Sequence, residues 1–279
     1  MIRRRRMKTI IPILLFTLIS IAVTAQDQDK FEFKRIEDNS FFIEEAYNQD
    51  PGIIQHISGF QYMNDKSWIY TFTDEWPLAG KKHQISATVP LLDAGTGTGI
   101  GDIAINYRYQ AVLTNRLGFS PRFTFLIPTG NYRIGAGTGV LSYQLSLPLS
   151  FILSRKFVTH YNLGATFSPG AHSPEGINAN IVNLNYGTSV IWYTGVNFNV
   201  MVEVFGNCLM KTPGLGVTNV TNSLFISPGF RFAINFKSGL QIVPGLAIPA
   251  GIGPSAGNYG IFAYLSFEHV LWREKPAGR

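Results

Sequence analysis

The stretch LSYQLSLPLSFIL, residues 141–153, alternates with period two. Leu141, Tyr143, Leu145, Leu147, Leu149, Phe151 and Leu153 are apolar; Ser142, Gln144, Ser146, Pro148 and Ser150 interleave, and only Ile152 breaks the pattern. In a chain that is 46% hydrophobic, seven such hits in a row arise by chance about 0.4% of the time, so the stretch reads as a strand with one apolar face. Residues 116–128 repeat it, with Leu117, Phe119, Phe123, Phe125 and Ile127 set against Arg116, Ser120, Arg122 and Thr124. Residues 102–110 set Ile103, Ile105, Tyr107 and Tyr109 against Asp102, Asn106, Arg108 and Gln110, and 181–192 and 240–248 behave alike.

Twelve segments of this kind follow one another, at roughly 53–63, 67–76, 82–91, 100–113, 116–128, 141–153, 156–168, 181–193, 197–207, 221–234, 237–248 and 258–271. The connections alternate. Those at 114–115, 154–155, 194–196 and 235–236 are brief, whereas 93–99, 129–140, 169–180 and 250–257 are long and rich in glycine. Short turns on one side, long loops on the other and an even strand number is the plan of a bacterial outer-membrane barrel. Ten to twelve tilted residues cross roughly 25 Å of outer-membrane hydrocarbon. Closure also leaves no unpaired backbone edge in lipid. Trp76, Tyr109, Trp192 and Trp272 fall near the ends of even-numbered segments, where an interfacial aromatic girdle belongs. A soluble exported sandwich or lipocalin-like barrel is the rival, and the regular alternation of turn lengths argues against it.

Composition supports the same class. Only 14% of the 279 residues are charged, against about 25% in soluble proteins, which together with the high apolar content excludes a disordered chain. Past residue 25 no apolar run reaches the roughly 18 residues of a membrane helix, and 28 Gly and 15 Pro are scattered throughout. One cysteine, Cys208, forms neither an internal disulfide nor a cysteine-rich metal site. The formal charge of +6 owes five basic residues to the first 25 positions, which hold no Asp or Glu; removing them leaves 18 basic and 17 acidic residues, so nucleic acid is not an expected partner. Those 25 residues form a signal peptide: a basic start at 1–8, an apolar stretch at 10–23 and a small-residue exit placing cleavage between Ala25 and Gln26.

Residues 26–52 break the period. They are polar and acidic, with Glu37, Asp38, Glu44 and Glu45, yet carry an apolar patch of Phe41, Phe42, Ile43, Ala46 and Tyr47. Such a segment reads as a periplasmic lead-in or as a small plug in the periplasmic mouth. The glycine cluster GTGTGIG at 95–101 precedes a strand and lacks the helix and Lys-Ser/Thr partner of a phosphate loop, so it reads as a flexible loop. The five histidines (His56, His83, His160, His172, His269) are isolated, and no metal or cofactor is expected. A lipid-hydrolysing barrel would need a serine near a histidine, for which His160 and Ser168 are the candidates; the preferred reading makes them lumen and strand-end residues and the protein no enzyme.

If the apolar partners face lipid, Asp102, Arg108, Arg122, Glu203, Arg231 and Glu268 point into the lumen. Charges in a narrow barrel must be paired or wet, so they form either a structural salt-bridged network or a path that orients a solute. Leu126, Phe225 and Val243 share the inward parity and give the interior an apolar part.

Three stretches carry a family resemblance: EDNSFFIEEAYNQDPGIIQH (37–56), GIGDIAINYRYQ (99–110) and PRFTFLIPTGNYRIGAGTGV (121–140). Over about 36–272 the chain resembles the outer-membrane transporters named after the meta-cleavage pathway of phenol degradation. The resemblance implies a barrel admitting small hydrophobic or aromatic compounds, and it carries over no catalytic or binding residue. One departure is the C-terminus, where Trp272 is followed by 273–279 instead of ending the chain on an aromatic residue. The expectation is therefore a signal peptide (1–25), an N-terminal periplasmic segment (26–52), a closed antiparallel transmembrane β-barrel of about twelve strands (53–272) and a tail (273–279). Both termini are expected in the periplasm, with outer-membrane lipid, a small solute and the outer-membrane assembly machinery as partners. Passive passage of the solute is the expected function, with a structural or surface-binding barrel and a lipid-modifying enzyme as alternatives.

Overall fold

The computed structural model describes residues 36, 40–78, 80–213, 216–236 and 240–270. The signal peptide with its Ala25–Gln26 junction, residues 26–35, Trp272 and the tail lie outside them. The described residues form twelve strands: β1 (Ile53–Met63), β2 (Trp68–Leu78), β3 (His83–Asp93), β4 (98–113), β5 (117–127), β6 (142–152), β7 (Phe157–His172), β8 (Asn178–Tyr193), β9 (Phe198–Pro213), β10 (219–235), β11 (241–251) and β12 (Gly260–Val270). Each pairs antiparallel with the next. β1 closes the ring on β12, in continuous register from Ile53↔Val270 to Met63↔Gly260. The result is a closed antiparallel barrel of twelve strands.

Its polarity is inverted relative to a soluble protein. Phe123, Phe125, Tyr143, Leu145, Leu163, Val202 and Leu265 stand exposed on the outside, while Gln84, Asn106, Arg108, Thr124, Ser146, Ser189, Glu203 and Arg231 are buried on the inside. Period-two side chains on a closed sheet allow only one such division, and an apolar exterior suits a solvent of lipid. Trp192 and Tyr109 are exposed near the short-turn end, as the girdle reading requires, and Tyr62 and Tyr143 answer them near the other end. Pro121, Pro148 and Pro249 explain why β5, β6 and β11 are interrupted, since each lacks an N–H for the ladder. Their carbonyls still accept from Tyr109 N, Ser120 N and Gly260 N, so the wall stays joined.

The strands are longer than the alternation suggests. β7, β8 and β9 each run to 16 residues, so most of the expected 169–180 loop is ladder, continued past a register shift between Ser168 and Ala171. The asymmetry of the ends rests chiefly on 128–141, which holds a short 3-10 turn at Tyr132–Ile134, and on 252–259.

Candidate functional site

The interior is crossed by residues 40–50, which run round the inner wall against successive strands. Ser40 Oγ lies 2.7 Å from Ser189 Oγ on β8. Phe42 N and Ile43 N both donate to Glu203 Oε1 on β9, at 2.9 and 3.1 Å. Asn162 on β7 takes Glu44 N at 2.7 Å and returns its own amide to Glu44 O at 2.9 Å. Ala46 N donates to Ser150 Oγ on β6. Gln110 on β4 accepts from Asn48 N and donates to Ala46 O, and Gln49 N reaches Gln84 Oε1 on β3 at 2.7 Å. The Gln49 side chain then bonds Gln55 on β1. The wall therefore reads the main chain of this belt, and buried amides that no neighbouring strand could satisfy are satisfied by inward carboxamides, hydroxyls and a carboxylate.

Side chains of the belt fit glycines of the wall. A Cβ on Gly187 would stand 2.4 Å from Ile43 Cδ1, one on Gly118 2.7 Å from the Tyr47 ring, and one on Gly245 2.5 Å from Phe41 Cζ. Phe41 packs on Phe262 and Tyr264 with ring centroids 5.6 and 5.2 Å away. Phe42 stacks on Phe205 at 4.3 Å, and Phe205 on Phe225 at 5.6 Å. Between the belt and β1–β5 and β12 lies a cavity of about 180 Å³, lined by Phe41, Phe42, Phe262 and Tyr264 together with Glu44, Glu75, Thr71, Thr73, Thr88, Asn106 and Arg122.

Four of the six charged residues singled out in the sequence belong to this region, while Glu268, half-buried, stands opposite Gln55 on β1 and Gln241 on β11. Arg108 is 3% exposed and donates to Asn48 Oδ1 at 2.9 Å, Tyr47 O at 2.8 Å and Glu45 O at 3.3 Å; its guanidinium lies 3.7 Å from Glu75 Oε2. Arg122 pairs with Glu44 of the belt at 3.0 Å and also donates to Asn106, Thr124 and Gln144. Glu203 and Arg231 are fully buried on adjacent strands, Glu203 opposite Ser227 and Arg231 opposite Asn199. Asp102 stands apart. One extra residue of β4, between the Leu91↔Ile100 and Thr88↔Ala104 pairs, makes a bulge there. The carboxylate accepts from Gly130 N, Thr138 N and Thr138 Oγ1. Asp102 thus pins the 128–141 segment, whose Ile134 and Ala136 lie over Gly99 and Gly101. The glycine cluster at 95–101, read as a flexible loop, is part strand and part floor for that segment.

His160 and Ser168 point to the same face of β7 but are eight positions apart; the serine beside His160 is Ser150, 2.7 Å from its Nδ1. Its Oγ also accepts from the belt, which places this pair in the belt's seat. Among the described residues no group of three or more His, Cys, Asp or Glu is arranged to hold a metal. The sequence reading passed over Gln84, Gln110, Asn162 and the inward glycines 118, 187 and 245. Their common parity with the charged residues was the available signal.

No family model matches the chain, and no curated protein matches it. Solved structures do. The NanC porin is 6% identical, with a TM-score of 0.53 over 77% of this chain and 98% of that one. An outer-membrane channel from Pseudomonas putida F1 is 10% identical, with a TM-score of 0.57 over 80% of this chain and 97% of that one. At such identities the likeness is one of fold: the chain shares the closed barrel of outer-membrane porins and channels.

Proposed function

We propose that the protein is an outer-membrane channel through which small solutes, hydrophobic or aromatic, pass passively, and that residues 40–50 are its plug. The observation that carries this reading is the partly aromatic cavity between the belt and the wall, inside a barrel whose exterior is apolar. An interior of mixed rings and hydroxyls favours a solute with an apolar body. The export signal and the turn asymmetry support a short-turn mouth, with both termini, in the periplasm. Surface lipid and the assembly machinery are the partners such a barrel needs to reach the outer membrane.

The belt makes the reading testable in the full mature chain. In Ser40→Cys/Ser189→Cys, oxidation ties the belt to β8 at a point where the two hydroxyls are already 2.7 Å apart. Proteoliposome uptake of a small aromatic compound is expected to fall on oxidation and return on reduction, with a sugar of similar mass entering more slowly throughout. Uptake indifferent to the lock removes the plug from the proposal. No protein-dependent uptake in either state favours a second reading, a closed structural or surface-binding barrel, which the inward packing of 128–141 over Gly99 and Gly101 supports.

A further inference from the structure

Two of the lumen's arginines differ in how they are used. Arg108 and Arg122 face each other across β4 and β5 in direct register, an arrangement that repels unless carboxylates are supplied. Glu75 serves Arg108, and both side chains are buried, at 7% and 3% exposure. Glu44 serves Arg122, and there the side chains are 27% and 17% exposed, opening on the cavity. The wall supplies the first carboxylate; the belt supplies the second.

We propose that Arg122 is a binding site for the carboxylate of a small organic acid with an apolar body, and that Glu44 is a built-in competitor for it. The inference rests on the lumen being a solute route and names the class of solute. The cavity on which Glu44 and Arg122 open is also lined by the rings of Phe41, Phe42, Phe262 and Tyr264, so it offers a ligand apolar faces and a guanidinium together. Asn106, Thr124 and Gln144 fix the guanidinium from behind with their side-chain oxygens, leaving its Nε edge to a carboxylate. The local pairing selects the ligand. Glu44 is the carboxylate on Arg122, so a carboxylate that displaces Glu44 keeps Arg122 compensated. A neutral solute taking that place would leave the arginine without its counter-charge in a half-buried site. The exchange breaks no covalent bond and moves no proton.

The test is equilibrium binding of benzoate and of its neutral isostere benzamide to the full mature chain in detergent, for the wild type, Glu44→Gln and Arg122→Gln. Wild type is expected to prefer benzoate. Removing the competitor in Glu44→Gln is expected to tighten benzoate roughly two- to fivefold, the worth of a partly exposed ion pair, while benzamide changes by less than about 1.5-fold on the same scale. Arg122→Gln is expected to abolish the preference. The proposal is overturned if Glu44→Gln leaves benzoate unchanged, weakens it, or tightens benzamide equally. Inorganic phosphate displacing benzoate as well as unlabelled benzoate does would overturn the requirement for an apolar body. Uptake of neutral aromatics without any carboxylate preference would sink this site and leave the channel standing. The expected binding pattern without uptake would do the reverse.

Discussion

The two halves of the lumen are built from different chemistry. Near the short-turn end the inward positions include Glu75, Arg108, Arg122, Glu203 and Arg231, and residues 40–50 occupy the space between them. Toward the long-loop end, short of Lys211 at the rim of β9, β7–β10 turn inward a neutral set: Asn185 stands opposite Asn207, which stands opposite Ser223, and Thr166 stands opposite Asn183. Nothing of the belt touches these groups among the described contacts, and the amide oxygens of Asn183 and Asn185 have no hydrogen-bond partner there. The difference teaches where a barrel needs filling. Charges facing one another across a narrow interior demand counter-charges and fixed dipoles, and here a segment of the same chain supplies them. Neutral amides make no such demand.

Four substitutions would break or sharpen that contrast. Arg108→Met removes three donors to the belt and strands Glu75; breaking a buried pair on one side costs about 3–5 kcal/mol. Urea unfolding followed by heat-modifiable gel mobility is expected to show the loss, with the belt newly open to protease. Gly245→Val puts side-chain atoms where Phe41 sits. Overpacking of this kind costs about 1–3 kcal/mol, and expulsion of Phe41 is expected to raise solute uptake, which a merely destabilised barrel would not show. Asn162→Ala loses both bonds to the main chain of Glu44 and is expected to cost about 1–3 kcal/mol, read from the same unfolding midpoint. Asn183→Ala, in the neutral half, is expected to change stability by less than about 0.5 kcal/mol. A large loss there would show that the two halves are not energetically distinct.

The wall was legible because lipid outside and polar groups inside impose a strict period of two. LSYQLSLPLSFIL gave the inward and outward faces of β6 residue by residue, and the same parity placed Arg108, Arg122, Glu203 and Arg231 inside. It also gave Phe225 and Val243 to the interior, where one stacks on Phe205 and the other is buried. The upper parts of β7 and β8 were missed for a physical reason. Beyond the apolar band the outward side no longer meets lipid, so Asn178 and Asn180 stand where apolar residues stand below, and the Pro169–Gly170 bulge breaks the count. The belt was legible only as a patch. Its apolar residues share no period because it follows the circumference of the barrel and meets a new strand every residue or two. Its partners, Gln84, Gln110, Asn162 and Ser150, look like ordinary inward polar positions until something lies against them.

That circumferential path has a consequence in time. The seat of residues 40–50 is assembled from side chains of β3, β4, β5, β6, β7, β8 and β9, so it does not exist until those strands stand side by side. A segment that precedes β1 is therefore expected to be among the last to reach its place. Interactions formed after the rate-limiting step slow the reverse reaction and leave the forward one unchanged. A belt that seats late is expected to slow the barrel's unfolding and to leave its folding rate unchanged.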